Sequence, residues 1–226
     1  MHHFLTTNQT EPPFVSALAY SLMMALLLLS IYASIKYHKN PSFIKSMKIL
    51  QLCQLAILYS WYVGFQLPLA NSLPLYHCRL AMFAVVFLPD KWRSKQYFAL
   101  LGASGALFAL GYPVFDPYDF PHITSFSFLI GHYALLVNSL LYLLNHYDKT
   151  QLKKYMIVLY TFGLNAFLVG VNQITGGNYG LLTRPPFISE YSLLVKYLAV
   201  SIILSAALIL FDALFKKRWK KQLELI

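Results

Sequence analysis

Long apolar stretches alternate with short polar segments along the 226-residue chain. Most are close to the roughly 20 residues that an α-helix needs to cross the hydrocarbon core of a bilayer. The pattern predicts an all-α membrane protein, a bundle of seven transmembrane helices, with residues 1–226 forming a single polytopic domain. We place the seven spans at about residues 14–36, 44–68, 74–89, 97–114, 123–145, 155–175 and 191–215.

Composition supports a membrane protein. Hydrophobic residues make up 58% of the chain and charged residues 12%, and the mean hydropathy is +0.55. A water-soluble domain is about half apolar and about one quarter charged, so an ordinary soluble enzyme is excluded. The segment before the first span contains no Lys or Arg, whereas a signal peptide begins with basic residues. The first apolar stretch is therefore expected to remain as a span.

The net charge of +10 is distributed unevenly along the chain. All but three of the 18 Lys and Arg residues flank the first, third and fifth loops or belong to the C-terminal tail. The exceptions are Arg79, Arg184 and Lys196. Because basic residues in short loops are retained on the cytoplasmic side, we expect a multi-pass protein of the cell membrane with its N-terminus outside and its C-terminus in the cytoplasm. The charge then indicates topology, and we expect no nucleic acid partner.

Several polar residues lie in the predicted spans, where an unpaired polar group is costly. Tyr62 and Gln66 are four residues apart in the second span, and Thr161, Asn165 and Asn172 have helical spacing in the sixth. Each set should share one face of its helix and point into the bundle. Hydrogen bonds between helices explain the Asn and Gln residues as well as contact with a ligand does, so both explanations stay open.

The sequence His77-Cys78-Arg79 is the densest group of reactive side chains. If Pro74 lies in the first turn of the third span, the helix dipole and Arg79 both favour the nucleophilic thiolate of Cys78. Neighbouring residues on a helix do not face each other, so a general base must come from another span. His132 is the candidate, although residue counting places it about 13 Å deep against about 6 Å for Cys78.

Structural roles for these two residues remain open. Cys78 can be a small apolar filler, and His132 can be a buried histidine with satisfied hydrogen bonds. No Cys or His pair has the spacing of metal ligands, so we expect neither a metal nor another cofactor.

Three short motifs carry a resemblance to a known family. Residues 73–78, Leu-Pro-Leu-Tyr-His-Cys, resemble the Leu-Pro-Leu-His-x-Cys stretch of the bacterial YwaF family of integral membrane proteins, which is similar to transmembrane protein 164 of animals. Residues 131–132 resemble the Gly-His pair of that family. Residues 178–179, followed by 184–186, resemble its Asn-Tyr loop with prolines before the last span. In this chain the His directly precedes the Cys, whereas the family pattern has it two positions before, which puts a role for His77 in doubt.

The resemblance implies a seven-span fold and, for the animal member, acyl transfer onto lysophospholipid. Carried over to this chain, Cys78 forms the acyl thioester, His132 is the base, and Asn172 and Asn178 hold the carbonyl. Membrane phospholipids are then the expected partners, and Arg79, Arg184 and Lys196 are candidates for holding a phosphate head group. The full set of candidate substrate-binding residues is Gln66, His77, Arg79, Asn165, Asn172, Asn178, Tyr179 and Arg184.

The same polar residues are also compatible with two non-enzymatic functions. One is a transporter or a protein that binds a lipid or small molecule along a polar path through the bundle. The other is a structural partner in the cell envelope. The oligomeric state stays open.

Overall fold

The computed structural model of the chain describes residues 4–185 and 188–223, with side chains as far as residue 218. Over these residues it is all helical, with no β-strand. The helices are α1 (Ala17–Tyr37), α2 (Pro41–Gly64), α3 (Leu69–Ser72), α4 (His77–Phe87), α5 (Arg93–Gly111), α6 (Ile123–His146), α7 (Lys154–Thr175) and α8 (Leu193–Leu223), with a 3-10 turn at Tyr179–Leu181.

Local sequence explains where several helices begin and end. The side chain of Asn40 accepts the N–H groups of Ser42 and Phe43, and Pro41 occupies the first helical position, so α2 begins there. Gly176 adopts a left-handed conformation with φ of 71°, a backbone geometry that glycine allows without strain, and it ends α7.

Four helices within the described residues are long and apolar enough to cross a membrane: α1, α6, α7 and residues 193–218 of α8. Helices α2 and α5 have the length but not the hydropathy. With 11 residues, α4 is about 16 Å long, roughly half of the hydrocarbon thickness. These helices support a membrane protein, and the count of seven spans stays a prediction.

The structure corrects the second and third predicted spans. Helix α2 ends at Gly64, and Gln66 lies beyond it, exposed and with a positive φ of 51°. The prediction that Gln66 shares a helix face with Tyr62 is therefore wrong. Pro74 lies in the turn before α4, whose first residue is His77, so it does not form the first turn of that helix. Apolar residues continue through this connection, which is why hydropathy alone did not show the interruption.

Helix α6 occupies the centre of the bundle and packs against α1, α2, α4 and α5. Its approach to α5 is close, because a methyl group added at Gly102 would overlap the hydroxyl of Ser139. Glycine at position 102 therefore allows the close packing of α5 against α6. Helices α7 and α8 form a second pair, and the predicted inward face of α7 is confirmed by the burial of Thr161, Asn165 and Asn172.

The two ends of the bundle differ in character. We define the site end as the end of the bundle at which α2, α5 and α7 end and α4, α6 and α8 begin. There the N-terminal segment pairs with the loop 112–122, since the N–H of Thr10 donates to the carbonyl of Pro117 (2.8 Å). The opposite end, which we call the basic end, carries the connections 38–40, 88–92 and 147–153. Four lysines, Lys39, Lys91, Lys149 and Lys153, belong to these connections, and further Lys and Arg residues lie on the adjoining helix ends. Which end faces the cytoplasm stays a prediction from these charges.

Candidate active site

The first turn of α4 directs three consecutive side chains toward three different helices. His77 bonds to Asn165 of α7, Cys78 faces Gly105 of α5, and Arg79 bonds to Tyr62 of α2. Successive residues of an α-helix are rotated by about 100°, so a continuous motif is spread around the helix. The short α4 therefore sits among its neighbours with each side chain held by a different one.

Cys78 is a free, half-buried thiol at the second position of α4. Its sulfur packs against the core shared by α4, α5 and α6. A Cβ placed on Gly105 would lie 3.1 Å from Sγ, which is tighter than an ordinary contact. Glycine at position 105 thus leaves the space that the sulfur occupies.

The hydrogen bond of His132 sets the position of its proton. Nδ1 lies 2.7 Å from the carbonyl oxygen of Phe128, one turn earlier on α6. A carbonyl oxygen can only accept, so Nδ1 carries the hydrogen and donates it, and Nε2 of the neutral ring keeps the lone pair. Among the described residues Nε2 has no hydrogen-bond partner. This is the tautomer that a general base requires.

The structure places Cys78 and His132 in one region without a hydrogen bond between them. A Cβ on Gly131, the neighbour of His132, would lie 3.1 Å from the end of Met82, one helical turn below Cys78. Met82 follows Cys78 by four residues, so this contact places Gly131 beside the turn of α4 that follows the thiol. Arg79 interacts electrostatically with both groups. A direct transfer of a proton between them needs the gap to close or a bridging group to enter.

Arg79 lies within a cage of tyrosines. The centre of its guanidinium is 5.9 Å from the ring of Tyr59, 5.0 Å from that of Tyr62 and 5.2 Å from that of Tyr76. Nη2 donates to the hydroxyl of Tyr62 at 2.6 Å. Nη1 of Arg79 and the hydroxyl of Tyr59 are both buried and form no hydrogen bond of standard geometry, although the two side chains lie close enough to interact with each other. A buried cation with a free donor is suited to an anionic oxygen.

The loop 112–122 brings a carboxyl group toward this cage. Asp116 interacts electrostatically with Arg79, Tyr62 and Tyr76. Burial raises the pKa of Asp116 above its ordinary value, and the nearby Arg79 and His122 only partly oppose that rise. The loop is fixed in place because His122 caps α6 and its ring stacks on Tyr118 at 4.1 Å. Hydropathy and spacing gave no sign of the proximity of Asp116 and Arg79.

His77 and Asn165 form part of a chain of hydrogen bonds across three helices. Asn165 donates from Nδ2 to the hydroxyl of Ser201 on α8 (2.9 Å), and its Oδ1 accepts from Nε2 of His77 (2.7 Å). Both side chains were candidates for substrate binding. Of the two roles left open for Asn165, interhelical hydrogen bonding is the one present in this structure.

The candidate amides near the last loop bond to the main chain. Asn172 accepts the N–H of Tyr179 (2.7 Å) and donates to its carbonyl (2.9 Å). Asn178 accepts the N–H groups of Thr183 and Arg184 and donates to the carbonyl of Arg184. These bonds fold residues 176–185 over the ends of α7 and α4. The role of holding an acyl carbonyl stays a prediction that requires a second bond from the same groups.

The remaining candidates lie at the edge of the site end. Tyr179 is buried, with its hydroxyl donating to the carbonyl of Leu69 and accepting the N–H of Leu73. Arg184 and Gln66 are exposed. Lys196 donates to the carbonyl of Thr183 (2.9 Å). The second proline of the motif at 184–186 falls outside the described residues.

The described residues contain no group of three or more His, Cys, Asp or Glu side chains that could hold a metal ion.

Comparison with known proteins supplies the family. A model of the TMEM164 family matches residues 4–216, from the N-terminal segment through most of α8. Neither the curated proteins nor the solved structures provide a match. The resemblance to transmembrane protein 164 expected from residues 73–78 is confirmed. Because the match covers nearly the whole sequence, the chain belongs to the TMEM164 family.

Proposed function

We propose that the protein is a membrane-embedded acyltransferase that moves acyl chains between phospholipids, with Cys78 as nucleophile and His132 as base. The observation that carries the proposal is the hydrogen bond from Nδ1 of His132 to Phe128. It leaves the Nε2 lone pair free on a ring that lies within the field of the same Arg79 as the thiol. The family supports a membrane protein of this kind.

The reaction has two balanced halves. Nε2 of His132 takes the proton of the Cys78 thiol while Sγ attacks an ester carbonyl of a donor phospholipid. The ester C–O bond then breaks, the protonated imidazole gives its proton to the departing alkoxide, and a lysophospholipid leaves the thioester behind. In the second half, a hydroxyl group of an acceptor lysophospholipid loses its proton to His132 and attacks the thioester. The protonated His132 then gives this proton to the departing thiolate of Cys78, which regenerates the thiol.

Arg79 is suited to hold the phosphate of the lipid beside the thiol. Its Nη1 is buried without a hydrogen bond of standard geometry, and the buried hydroxyl of Tyr59 lies beside the same guanidinium. An anionic oxygen placed between them would satisfy both, and the tyrosine rings would exclude water. Exclusion of water favours passage of the acyl group to a second lipid over hydrolysis.

The topology that fits this chemistry has seven membrane crossings. In it, α4 is a short crossing that begins below the loops of the site end, and α3 packs against α7 at that end. The charges of the basic end favour the cytoplasmic side, so the site end opens to the outer leaflet of the cell membrane, where lipids enter sideways. A cysteine-accessibility scan of single cysteines in the loops 112–122 and 147–153 tests this orientation.

A second candidate function is lipid binding or transport without chemistry. It is favoured by the absence of a hydrogen bond between Cys78 and His132 in the described structure. The free Nη1 of Arg79 would then bind the phosphate of a passing lipid. The two functions differ in whether Cys78 becomes acylated.

The test uses the purified chain in vesicles containing a phospholipid with an isotopically labelled acyl chain and an unlabelled lysophospholipid. Mass spectrometry of the protein should show a labelled acyl adduct on Cys78, and the lysophospholipid should gain the label. Cys78→Ser and His132→Gln should remove acyl exchange while the protein stays folded. The matched control is Cys53→Ser, which alters an exposed cysteine of α2 and should leave exchange unchanged.

Two outcomes separate the candidates. Acyl exchange by Cys78→Ala at the rate of the unmodified protein would rule out thioester chemistry. Retention of phospholipid that depends on Arg79, with no adduct and no exchange, would identify the protein as a lipid binder.

A further inference from the structure

A recess at the basic end lies at the opposite end of α4 and α6 from Cys78. It is bounded by α2, α4, α5, α6 and the connection 88–92. Its polar lining consists of Lys48, Asp90, Lys95, Asn138, Asn145 and His146. None of these residues takes part in the proposed acyl transfer.

Cationic groups outnumber the single carboxylate in this recess. The side chain of Lys95 is only 3% exposed, and its Nζ donates to Asp90 (2.7 Å) and to the carbonyl of Leu88 (2.6 Å). Asp90 also lies 3.9 Å from Nε2 of His146 and within electrostatic range of Lys48. With Lys48 and Lys95 charged and one carboxylate, the recess has a net charge of about +1, before any proton on His146. It is suited to a ligand with one negative charge.

The amide oxygen of Asn138 needs a hydrogen-bond donor. Its Nδ2 donates to the carbonyl of Met47 at 2.9 Å, which fixes the orientation of the amide. Its Oδ1 is buried and has no partner among the described residues. A buried acceptor that stays unpaired is costly, so a donor is expected to complete it. Asn138 is 4% exposed and lines the recess, so a molecule in the recess can supply that donor.

We propose that this recess binds the head group of an anionic phospholipid that carries hydroxyl groups, of the kind found in phosphatidylglycerol. The phosphodiester faces Lys48 and His146, and a head-group hydroxyl donates to Oδ1 of Asn138. A phosphodiester has one negative charge, which matches the net charge of the lining. The choline head group has no hydrogen-bond donor for Asn138. Zwitterionic head groups have no net charge to match the net positive charge of the recess. The position at the ends of the helices, among the loop lysines, is where lipid head groups lie.

The experiment is native mass spectrometry of the purified chain with an equimolar mixture of phosphatidylglycerol and phosphatidylcholine. We expect phosphatidylglycerol to be retained about tenfold over phosphatidylcholine, as a charge-assisted hydrogen bond would produce. Lys48→Gln and, separately, His146→Gln should each remove most of this preference. The matched control is Lys45→Gln, which makes the same charge change on the same helix at an exposed position outside the recess. It should keep the preference.

Each other result overturns the proposal. Equal retention of the two lipids, or an equal loss in Lys45→Gln, would show that the recess does not select the head group. Displacement of phosphatidylglycerol by inorganic phosphate would assign the site to a free anion instead of a lipid. Asn138→Leu tests the hydroxyl donor, and an unchanged preference in this folded variant would contradict it. The Cys78→Ala variant should retain phosphatidylglycerol fully. A loss of lipid selection by the recess can therefore be distinguished from a failure of the acyl-transfer mechanism.

Discussion

Replacement of Gly105 by alanine tests whether the position of the Cys78 sulfur matters for chemistry. The added Cβ would lie 3.1 Å from Sγ, whereas an ordinary contact is at 3.4–4 Å. Apart from the helix itself and the chain neighbours, no other heavy atom of the described residues comes within 4 Å of that Cβ. The substitution therefore acts on one atom, the sulfur of the proposed nucleophile.

The expected effect on stability is small, and the effect on rate is large. Alanine gains about 1 kcal/mol of helix propensity over glycine, and crowding in a packed core costs about 1–3 kcal/mol. Together they leave a net destabilisation of about 0–2 kcal/mol. The sulfur must move by about 0.5 Å to restore normal contact. Since a misplacement of about 1 Å can cost about 100-fold in rate, we expect acylation of Cys78 to slow about tenfold.

The assay follows formation of the acyl adduct in a Cys53→Ser background, alongside the thermal unfolding midpoint of the same sample. Gly170→Ala in α7 is the matched control. It gives the same gain in helix propensity, and its added Cβ meets no atom of the described residues within 4 Å. It should acylate at the normal rate. A folded Gly105→Ala protein that also acylates at the normal rate would refute the argument that this glycine positions the nucleophile.

Three further predictions concern the groups around the site. A double-mutant cycle of His77→Ala and Asn165→Ala, read by thermal unfolding, should give a coupling energy of about 0.6–2 kcal/mol, and a value near zero would contradict the observed bond. Asn172→Ala should lower the free energy of unfolding by about 1–3 kcal/mol, because it removes the partners of both main-chain groups of Tyr179. Unchanged protease resistance of residues 176–185 in this variant would argue against the prediction. Because burial raises the pKa of Asp116 above 3.8, the native state binds this proton more tightly than the unfolded state does. The contribution of Asp116 to stability should therefore be full below pH 3.8 and be lost as the pH rises through the raised pKa. Asp116→Asn should remove that fall, and identical pH profiles of the melting temperature in the variant and the unmodified protein would exclude it.

The sequence predicts the helix positions well where the apolar stretch and the hydrogen-bonded helix have the same ends. Helices α1, α6 and α7 lie within a few residues of their predicted spans. The errors are concentrated between residues 65 and 76, which are apolar but contain Pro68 and Pro74. Hydropathy reports a preference for an apolar environment, whereas the end of a helix is decided by backbone geometry, here the positive φ of Gln66. The one-turn helix α3 inside this stretch has no hydrophobic period of its own.

The sequence identifies the buried candidates as polar groups that need partners, but it does not show which partners they have. Nothing in the spacing of Asn172 and Asn178 shows that their amides bond to the main chain of the next loop. The tyrosine cage was missed for the same reason, because its members come from α2 and from the residue before α4. One available signal was Tyr59 and Tyr62, three apart on a helix and thus on one face, as a cation such as Arg79 requires.

The departure from the family pattern has a structural explanation. The family motif places its His two positions before the Cys, and this chain has Tyr76 there. The ring of Tyr76 lies 5.2 Å from the guanidinium of Arg79 and 4.9 Å from the ring of Tyr179. The imidazole comes one residue later, as the first residue of α4, and is bonded to α7. Because residues rotate by about 100° along a helix, His77 is turned away from the sulfur. An imidazole at position 77 therefore anchors the helix, and the base that we propose for Cys78 is His132 of α6.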